Sequence, residues 1–224
     1  MTELRVNAAK STTLRITEIF LSLQGEANTV GYPTVFVRLT GCPLRCQYCD
    51  SAYAFKGGDK YTVADILQKV VDYKVNRVTV TGGEPLAQPG VHALMAALLD
   101  QEFEVSLETS GALSVANVDP RVVKVLDVKT PGSAEVHRNL WDNFAYLQPH
   151  DQIKFVLCSR GDYDWARVQC DQYSLFERAA DVLFSPSHGA IEPRDLADWI
   201  VADRLPVRMQ LQLHKLLWGD EPGR

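Results

Sequence analysis

Apolar residues along this chain come in short runs whose period switches between two and three to four. Leu14 to Phe20 and Thr34 to Leu39 (TVFVRL) read as strands, as do Arg77 to Val80, Phe103 to Leu107, Val122 to Val128, Gln152 to Leu157 and Val182 to Phe184. Between them, Asp65 to Tyr73, Ala87 to Asp100, Tyr163 to Ala179 and Pro193 to Ala202 carry apolar residues at helical spacing, the last with proline in its first turn. Pro206 to Leu213 (PVRMQLQL) alternates as a final strand. Strands separated by helical stretches imply βαβ units and a mostly parallel sheet. A full eight-unit barrel takes ~250 residues, and the chain has 224. Ser110 to Arg121 holds Gly111 and Pro120 and shows little apolar periodicity, so a loop stands there in place of a helix. The expected fold is α/β, an abbreviated partial β/α barrel with mostly parallel strands. It forms one domain over 14–218, with loose tails at 1–13 and 219–224.

Composition narrows the partners. Apolar residues make up 46% and charged residues 23%, ordinary globular usage that argues against disorder. The net charge of −5 and the lack of a basic stripe argue against nucleic acid as a direct partner. Ala93 to Leu99 is an apolar stretch of seven residues, far short of the ~20 that span a bilayer. Residues 1–13 lack an apolar signal core, so the expected compartment is the cytoplasm. Three of the five cysteines crowd into one short segment, Cys42, Cys46 and Cys49, while Cys158 and Cys170 lie far away. In a reducing compartment, clustered thiols indicate a metal or redox site rather than a disulfide framework.

The cluster is Gly-Cys42-Pro-Leu-Arg-Cys46-Gln-Tyr-Cys49-Asp, spaced C-x3-C-x2-C. Three thiolates are one short of the four that close a structural zinc site or an electron-transfer [4Fe–4S] cluster. A [4Fe–4S] cluster held by three leaves one iron open for chemistry. Cys158 or Cys170 could supply a fourth ligand, but cysteine in an apolar strand such as KFVLC behaves as a small buried hydrophobe. A zinc or redox loop is the blander reading. Downstream, Thr81-Gly82-Gly83-Glu84-Pro85 follows a β-branched strand. Two glycines there permit close backbone approach to a ligand, and a carboxylate beside them can accept charge-assisted bonds from an ammonium. Alone, the same string would be a tight turn.

The cysteine run resembles the C-x3-C-x-φ-C signature of the radical S-adenosylmethionine enzymes, with Tyr48 as the aromatic residue. In that family the open iron is chelated by S-adenosylmethionine. One electron cleaves the sulfonium, and a 5′-deoxyadenosyl radical abstracts hydrogen from substrate. The likeness puts Tyr48 and Asp50 beside the cofactor and gives Gly83 and Glu84 the methionyl amino group. The flanking blocks narrow the resemblance. Phe20-Leu-Ser-Leu-Gln-Gly-Glu26, Arg38 before Gly41, Asp50-Ser51, Thr81-Gly-Gly-Glu-Pro85, Glu108-Thr-Ser-Gly111 and Gln212-Leu-His214-Lys215 stand in the order seen in the 7-carboxy-7-deazaguanine synthases. These are carbon–nitrogen lyases of the queuosine branch of tRNA modification and of 7-deazapurine synthesis. They convert 6-carboxy-5,6,7,8-tetrahydropterin into 7-carboxy-7-deazaguanine with loss of ammonia.

That resemblance implies a [4Fe–4S] cluster, S-adenosylmethionine and Mg²⁺ as cofactors, an electron donor such as flavodoxin, and a homodimer. Residue by residue, Leu23, Gln24, Gly25 and Glu26 match the loop that contacts the pterin. Arg38 matches the arginine for the substrate carboxylate; a guanidinium can hold one bidentately. Ser51 matches the Mg²⁺ ligand, where the family often has threonine. Thr81 and Glu108 match substrate contacts. Asp127, Val128 and Lys129 match a segment along the cofactor, as do Ser185 and Ser187. Gln212 and His214 match the last substrate block. The alternation of the final strand bears on them directly: Arg208, Gln210, Gln212 and His214 share one face, which fits either an edge strand or a ligand-bearing lumen. The pattern departs at Ala27, where the family has a second glycine, and the chain runs past Lys215 to Arg224. A glycyl-radical-enzyme activase and a non-enzymatic iron–sulfur or zinc protein are the competing readings.

Overall fold

The computed structural model describes residues 11–219, 221 and 223. Among them nine strands make one sheet in the order β3-β1-β2-β4-β5-β6-β7-β8-β9. These are β1 (Thr13–Leu23), β2 (Pro33–Leu39), β3 (Asp59–Thr62), β4 (Arg77–Gly82), β5 (Glu104–Thr109), β6 (Val123–Asp127), β7 (Gln152–Leu157), β8 (Asp181–Pro186) and β9 (Arg208–Met209). From β2 through β4 to β9 every pairing is parallel, while β1 runs antiparallel to both β2 and β3. Helices α1 (Val63–Asp72), α2 (Val91–Leu99), α3 (Arg160–Gln172), α4 (Pro193–Asp203) and α5 (Leu213–Trp218) complete the chain. Between β5 and β6 no helix forms, and between β6 and β7 only 3-10 turns do, so the abbreviated barrel expected of this length is what the chain builds.

Each strand divides its side chains between two environments. On the outer face Val35, Val37, Val78, Val80, Leu107, Ile153, Phe155 and Phe184 are buried against Ile66, Leu94, Leu98, Tyr163 and Leu196 of the helices. On the inner face stand Arg38, Thr79, Thr81, Ser106, Glu108 and Lys154. Two-faced burial normally gives an apolar parallel strand. Here Arg77-Val-Thr-Val-Thr-Gly82 alternates although both faces are covered, which marks an inner space lined with polar groups. Helix α1 starts at Thr62, whose hydroxyl accepts from Asp65 N at 3.1 Å while the Asp65 carboxylate accepts from Thr62 N, a reciprocal cap.

Three boundaries differ from the sequence pattern. The helix expected to run from Tyr163 to Ala179 stops at Gln172, because Ser174 takes a left-handed φ of 51° and the chain turns into the 3-10 segment Leu175–Glu177. Strand β3 (DKYT) has no apolar alternation and forms because β1 extends far enough to pair with it. The final strand is two residues long rather than eight. Its chain leaves the sheet after Met209, and Leu213 begins α5. The alternation over Pro206 to Leu213 instead records alternate contacts with a loop from the start of the chain. Of the expected tails, residues 1–10 and part of 219–224 lie outside the described residues, while Thr12 is tied in through Val63 N. No helix is long and apolar enough to cross a membrane among the described residues. Trp141 stacks on Tyr173 at 4.9 Å and Trp199 meets Tyr163 edge-on at 5.6 Å.

One ion pair sits wholly inside. Lys124 Nζ lies 2.7 Å from Asp151 Oδ2, with both side chains almost fully buried, and Asp151 also accepts from Lys124 N and Gln148 N. Removing one partner strands a charge in the core. Asp151→Ala should therefore lower unfolding free energy by about 3–5 kcal/mol, measured by urea denaturation at neutral pH.

Candidate functional site

The carboxyl end of β2 hands the chain to the cysteine loop, and several backbone bonds fix that loop to its neighbours. Gly41 N bonds Ala54 O at 2.8 Å, Glu84 N bonds Gly41 O at 2.8 Å, and Gly83 N bonds Leu39 O at 3.1 Å. On its far side Gln47 N bonds Ser133 O and Arg45 N reaches Glu135 Oε1. Gly83 is required by contact: a Cβ there would lie 2.3 Å from Gly41 O and 2.8 Å from Cys42 Cβ. The GGEP turn and the cysteine loop are thus in direct van der Waals touch. Cys42, Cys46 and Cys49 are all half-buried on this loop, with Cys49 N bonded to Cys46 O at 3.2 Å. Burial pushes the Cys42 thiol up and the Cys46 thiol to about 11. Among the described residues no three His, Cys, Asp or Glu side chains gather around a single metal ion. The three thiols on one loop fit a larger, polynuclear group better than mononuclear zinc. Cys158, at the end of β7, bonds Ser187 and Asp162, and Cys170 is buried on α3.

Glu84 is fully buried and committed to the fold. Its Oε1 accepts from Leu86 N and Thr109 Oγ1 at 3.0 Å each, and its Oε2 from Ser110 N at 2.7 Å and from the Ser110 hydroxyl. This single carboxylate ties the turn after β4 to the turn after β5. Beside the cysteine loop, the Tyr48 hydroxyl and Asp127 Oδ1 are buried without a hydrogen-bond partner. Lys129 Nζ donates to Asp127 Oδ2 at 2.6 Å and stands 5.7 Å over the Tyr48 ring. Burial drives the Tyr48 phenol far up, and the Asp127 carboxylate keeps Lys129 charged against its own burial. Val128, Ser185 and Ser187 are buried on the same side, with Val128 N bonded to Lys154 O. Ser51 Oγ lies 3.8 Å from Cys49 Sγ.

The loop after Leu23 folds back into the inner space and plugs it. Gln24 Nε2 donates to Thr79 Oγ1 at 3.0 Å and reaches Glu108 Oε1 at 3.5 Å, and Thr81 Oγ1 donates to Glu108 Oε2 at 2.9 Å. The Glu26 carboxylate takes bonds from Lys154 Nζ and, at 2.8 Å, from Gln212 Nε2, which also touches Asp50 at 3.2 Å. Burial would raise Glu26, but Lys154 outweighs it and holds the carboxyl below its usual range. Burial and the neighbouring Glu26 charge push Glu108 the other way. His214 packs on Gly25, where a Cβ would meet its Nδ1 at 2.2 Å, and burial holds its imidazole down. Ala27, the departure from the family pattern, nevertheless adopts a left-handed φ of 62°, held by Gln210 Oε1 on its N–H at 3.0 Å. The polar face of the last segment therefore does meet the lumen, although β9 is also the sheet edge.

Arg38 projects from β2 into the same space. Its Nε donates to Glu18 Oε1 at 2.6 Å, and Tyr53 OH donates to that same oxygen at 2.7 Å. Lys154, Glu18 and Tyr53 stand among these groups but were not singled out from the sequence, which did place Gln210 on the polar face of the last segment. Lys154 carried a legible signal, a lone lysine on the apolar strand QIKFVL. Glu18 did not, because its face depends on a bulge.

The family model described as the Radical SAM superfamily matches residues 36–127. Relatives named 7-carboxy-7-deazaguanine synthase align over nearly the whole chain. The one from Chlorobaculum tepidum is 44% identical over 93% of this chain and 96% of its own length. Those from Koribacter versatilis and Thermoplasma acidophilum are 43% and 37% identical over 93% of this chain and 98% and 99% of theirs. Among solved structures, QueE from Escherichia coli superposes with a TM-score of 0.73 over 95% of this chain and 99% of that one, at 19% identity.

Two outcomes follow from the lumen charges. Lys154→Met leaves Glu26 buried without its cation and should cost about 3–5 kcal/mol; adding Glu26→Gln should recover part of that loss in a double-mutant cycle. Glu108 is raised in the folded state, so its protonated form contributes stability that is full below 4.5 and lost as pH rises through the folded value. Glu108→Gln should therefore be more stable than the parent at pH 7 and lose that advantage below pH 4.5, read from denaturant midpoints across pH.

Proposed function

The chain belongs to the 7-carboxy-7-deazaguanine synthase family, and from that membership we infer that it carries out the radical ring contraction of 6-carboxy-5,6,7,8-tetrahydropterin to 7-carboxy-7-deazaguanine with loss of ammonia. One observation about the molecule carries the reading: the three-cysteine loop lies against Gly83 at the carboxyl end of β4, on a sheet whose polar inner face is bonded by the loop of residues 24–28. When bound, a [4Fe–4S] cluster with S-adenosylmethionine supplies the 5′-deoxyadenosyl radical that takes hydrogen from C6 of the pterin.

The residues have separable tasks. Cys42, Cys46 and Cys49 would hold the cluster as thiolates, and the loop bonds to Ala54, Ser133 and Glu135 keep them together. The buried, unpartnered Tyr48 hydroxyl and Asp127 Oδ1 point to a polar molecule beside the loop, as S-adenosylmethionine would be. Asp50, Val128, Lys129, Ser185 and Ser187 line that region. The Glu84 carboxylate is already fully engaged, so its task is to position Gly83, whose backbone is the part available to the methionyl ammonium. Ser51 would offer its hydroxyl to Mg²⁺, a hard cation that takes oxygen ligands.

On the pterin side, Gln24, Gly25, Glu26, Thr81, Glu108, Gln212 and His214 surround the plugged lumen, while Leu23 ends β1 on the face opposite Glu18, Phe20 and Ser22 and leads into that loop. The pterin's aminopyrimidinone edge presents donors and acceptors side by side, which amide and carboxyl groups match. Glu26 is kept ionised by Lys154, while Glu108 is biased toward its protonated form; one can accept a hydrogen bond and the other donate one. Arg38, with its forked end uncommitted to Glu18, suits the carboxylate at C6. Cytoplasmic location, a homodimer and a flavodoxin-type electron donor complete the proposal.

The test is anaerobic reconstitution with iron and sulfide, followed by dithionite, S-adenosylmethionine, Mg²⁺ and 6-carboxytetrahydropterin. The expected product, identified by mass, is 7-carboxy-7-deazaguanine. 5′-Deoxyadenosine without that product would retain the radical chemistry and remove the substrate. Cys42→Ala, Cys46→Ala or Cys49→Ala should each abolish turnover and the cluster's absorbance, whereas Cys158→Ala and Cys170→Ala should keep both. Arg38→Ala should weaken pterin binding ~30-fold or more, the cost of removing one partner from a partly buried charge pair.

A further inference from the structure

A register break in β1 puts a carboxylate where the alternation of the strand alone would not. Ile16 is opposite Leu39 and Glu18 is opposite Arg38, so two residues on β1 span one on β2 and Thr17 is a bulge. Without it Thr17 would oppose Arg38 and Glu18 would turn to the outer, apolar face. With it Glu18, Phe20 and Ser22 share the inner face with Arg38. The displaced Thr17 is itself fixed by a 2.8 Å hydroxyl contact with Thr40.

The carboxylate so delivered holds Arg38 in a particular way. Glu18 Oε1 takes Arg38 Nε at 2.6 Å and so leaves the two forked Nη nitrogens to another partner. Tyr53 OH donates to the same Glu18 oxygen at 2.7 Å, and the Tyr53 and Phe20 rings lie 5.8 and 5.9 Å from the Arg38 guanidinium carbon. A long side chain with several rotatable bonds is thereby restrained in its plane before any ligand arrives. Tyr53 comes from the 3-10 turn Ala52–Phe55 that follows the cysteine loop, so the brace draws on two separate parts of the site.

We propose that Glu18 and Tyr53 are positioning residues that preset the Arg38 guanidinium for a carboxylate on the pterin, and thereby set selectivity for the carboxylated substrate. This rests on the reading of Arg38 given above. Positioning and charge make opposite predictions for Glu18. If Glu18 acts by position, losing its acceptor harms binding. If it acts as a competing anion, losing its charge improves binding.

The experiment compares Glu18→Ala, Glu18→Gln, Tyr53→Phe and Arg38→Ala as reconstituted enzymes with S-adenosylmethionine and Mg²⁺. It measures kcat and KM for 6-carboxytetrahydropterin and, by competition, the affinity of a tetrahydropterin lacking the carboxylate. Glu18→Ala should raise KM about tenfold with kcat within about twofold, as expected when a binding group is misplaced rather than removed. Glu18→Gln keeps an oxygen acceptor for Nε and should restore KM to within about threefold of the parent, and Tyr53→Phe should fall between the two. The carboxylate-free pterin should bind all of these alike. An unchanged KM in Glu18→Ala and Tyr53→Phe while Arg38→Ala is impaired overturns the brace alone. A normal KM in Arg38→Ala overturns the reading of Arg38 itself. Lower KM in both Glu18 variants, or equal harm in both, also overturns positioning. Should Glu18→Ala fail to fold, Glu18→Gln against Tyr53→Phe still decides, because position predicts greater harm from losing the phenol hydroxyl than from losing the charge.

Discussion

Ionised and polar side chains facing inward from a parallel sheet set the terms for everything else in this molecule. A charge taken out of water is costly unless an opposite charge and hydrogen bonds replace its hydration. Lys154 meets that condition through Glu26 and Arg38 through Glu18, each partner delivered by a different strand or loop, and Lys129 through Asp127 at the end of the strand that precedes it. The β1 bulge, the fold-back of residues 24–28 and the departure of the chain from β9 all serve such pairings. The outer face, by contrast, is an apolar layer broken by the buried Lys124–Asp151 pair. The hairpin loop between β1 and β2 is therefore part of the interior in this fold, and a change in it would be felt as a change in the core.

The sequence showed the outer face well and the inner face poorly. Val35, Val37, Val78, Val80, Ile153 and Phe155 carry a period that physical rules read directly, and the strands containing them fall where expected. The loop standing in for a helix after β5 was legible from Gly111, Pro120 and the lack of a helical stripe. What failed were segments whose conformation is decided by distant partners. The run DKYT becomes a strand only because β1 is long. The alternating PVRMQLQL leaves the sheet after Gln210 N makes a last bond to Phe184 O, because the Gln210 side chain and Leu213 N then bond the backbone of Ala27 and Gly25. Single-sequence patterning has no access to such long-range bonds.

The candidate site divides along the same line. Its cysteines and glycines announce themselves by spacing, since one loop must wrap one group and only glycine fits where Gly83 meets Gly41. Glu84 was legible as important but its physical task was not: a carboxylate next to two glycines suggests a ligand contact, whereas its oxygens are spent on Thr109, Ser110 and Leu86. Ala27 shows that a left-handed residue need not be glycine when a buried amide fixes its N–H and the surrounding loop leaves no alternative. Glu18 was hidden because a bulge changes which residues share a face without changing composition.

The two outer strands of the sheet have a bearing on contact with other chains. An open sheet ends in unpaired backbone groups that can recruit another chain. Here one edge is β3, four residues long with Asp59 and Lys60 at its start, and the other is β9, only two residues long. Both offer a short or charged template, and the polar partner of β9, the Glu26 loop, sits inside rather than along the edge. A barrel that never closes thus presents at each edge only a short template for another strand.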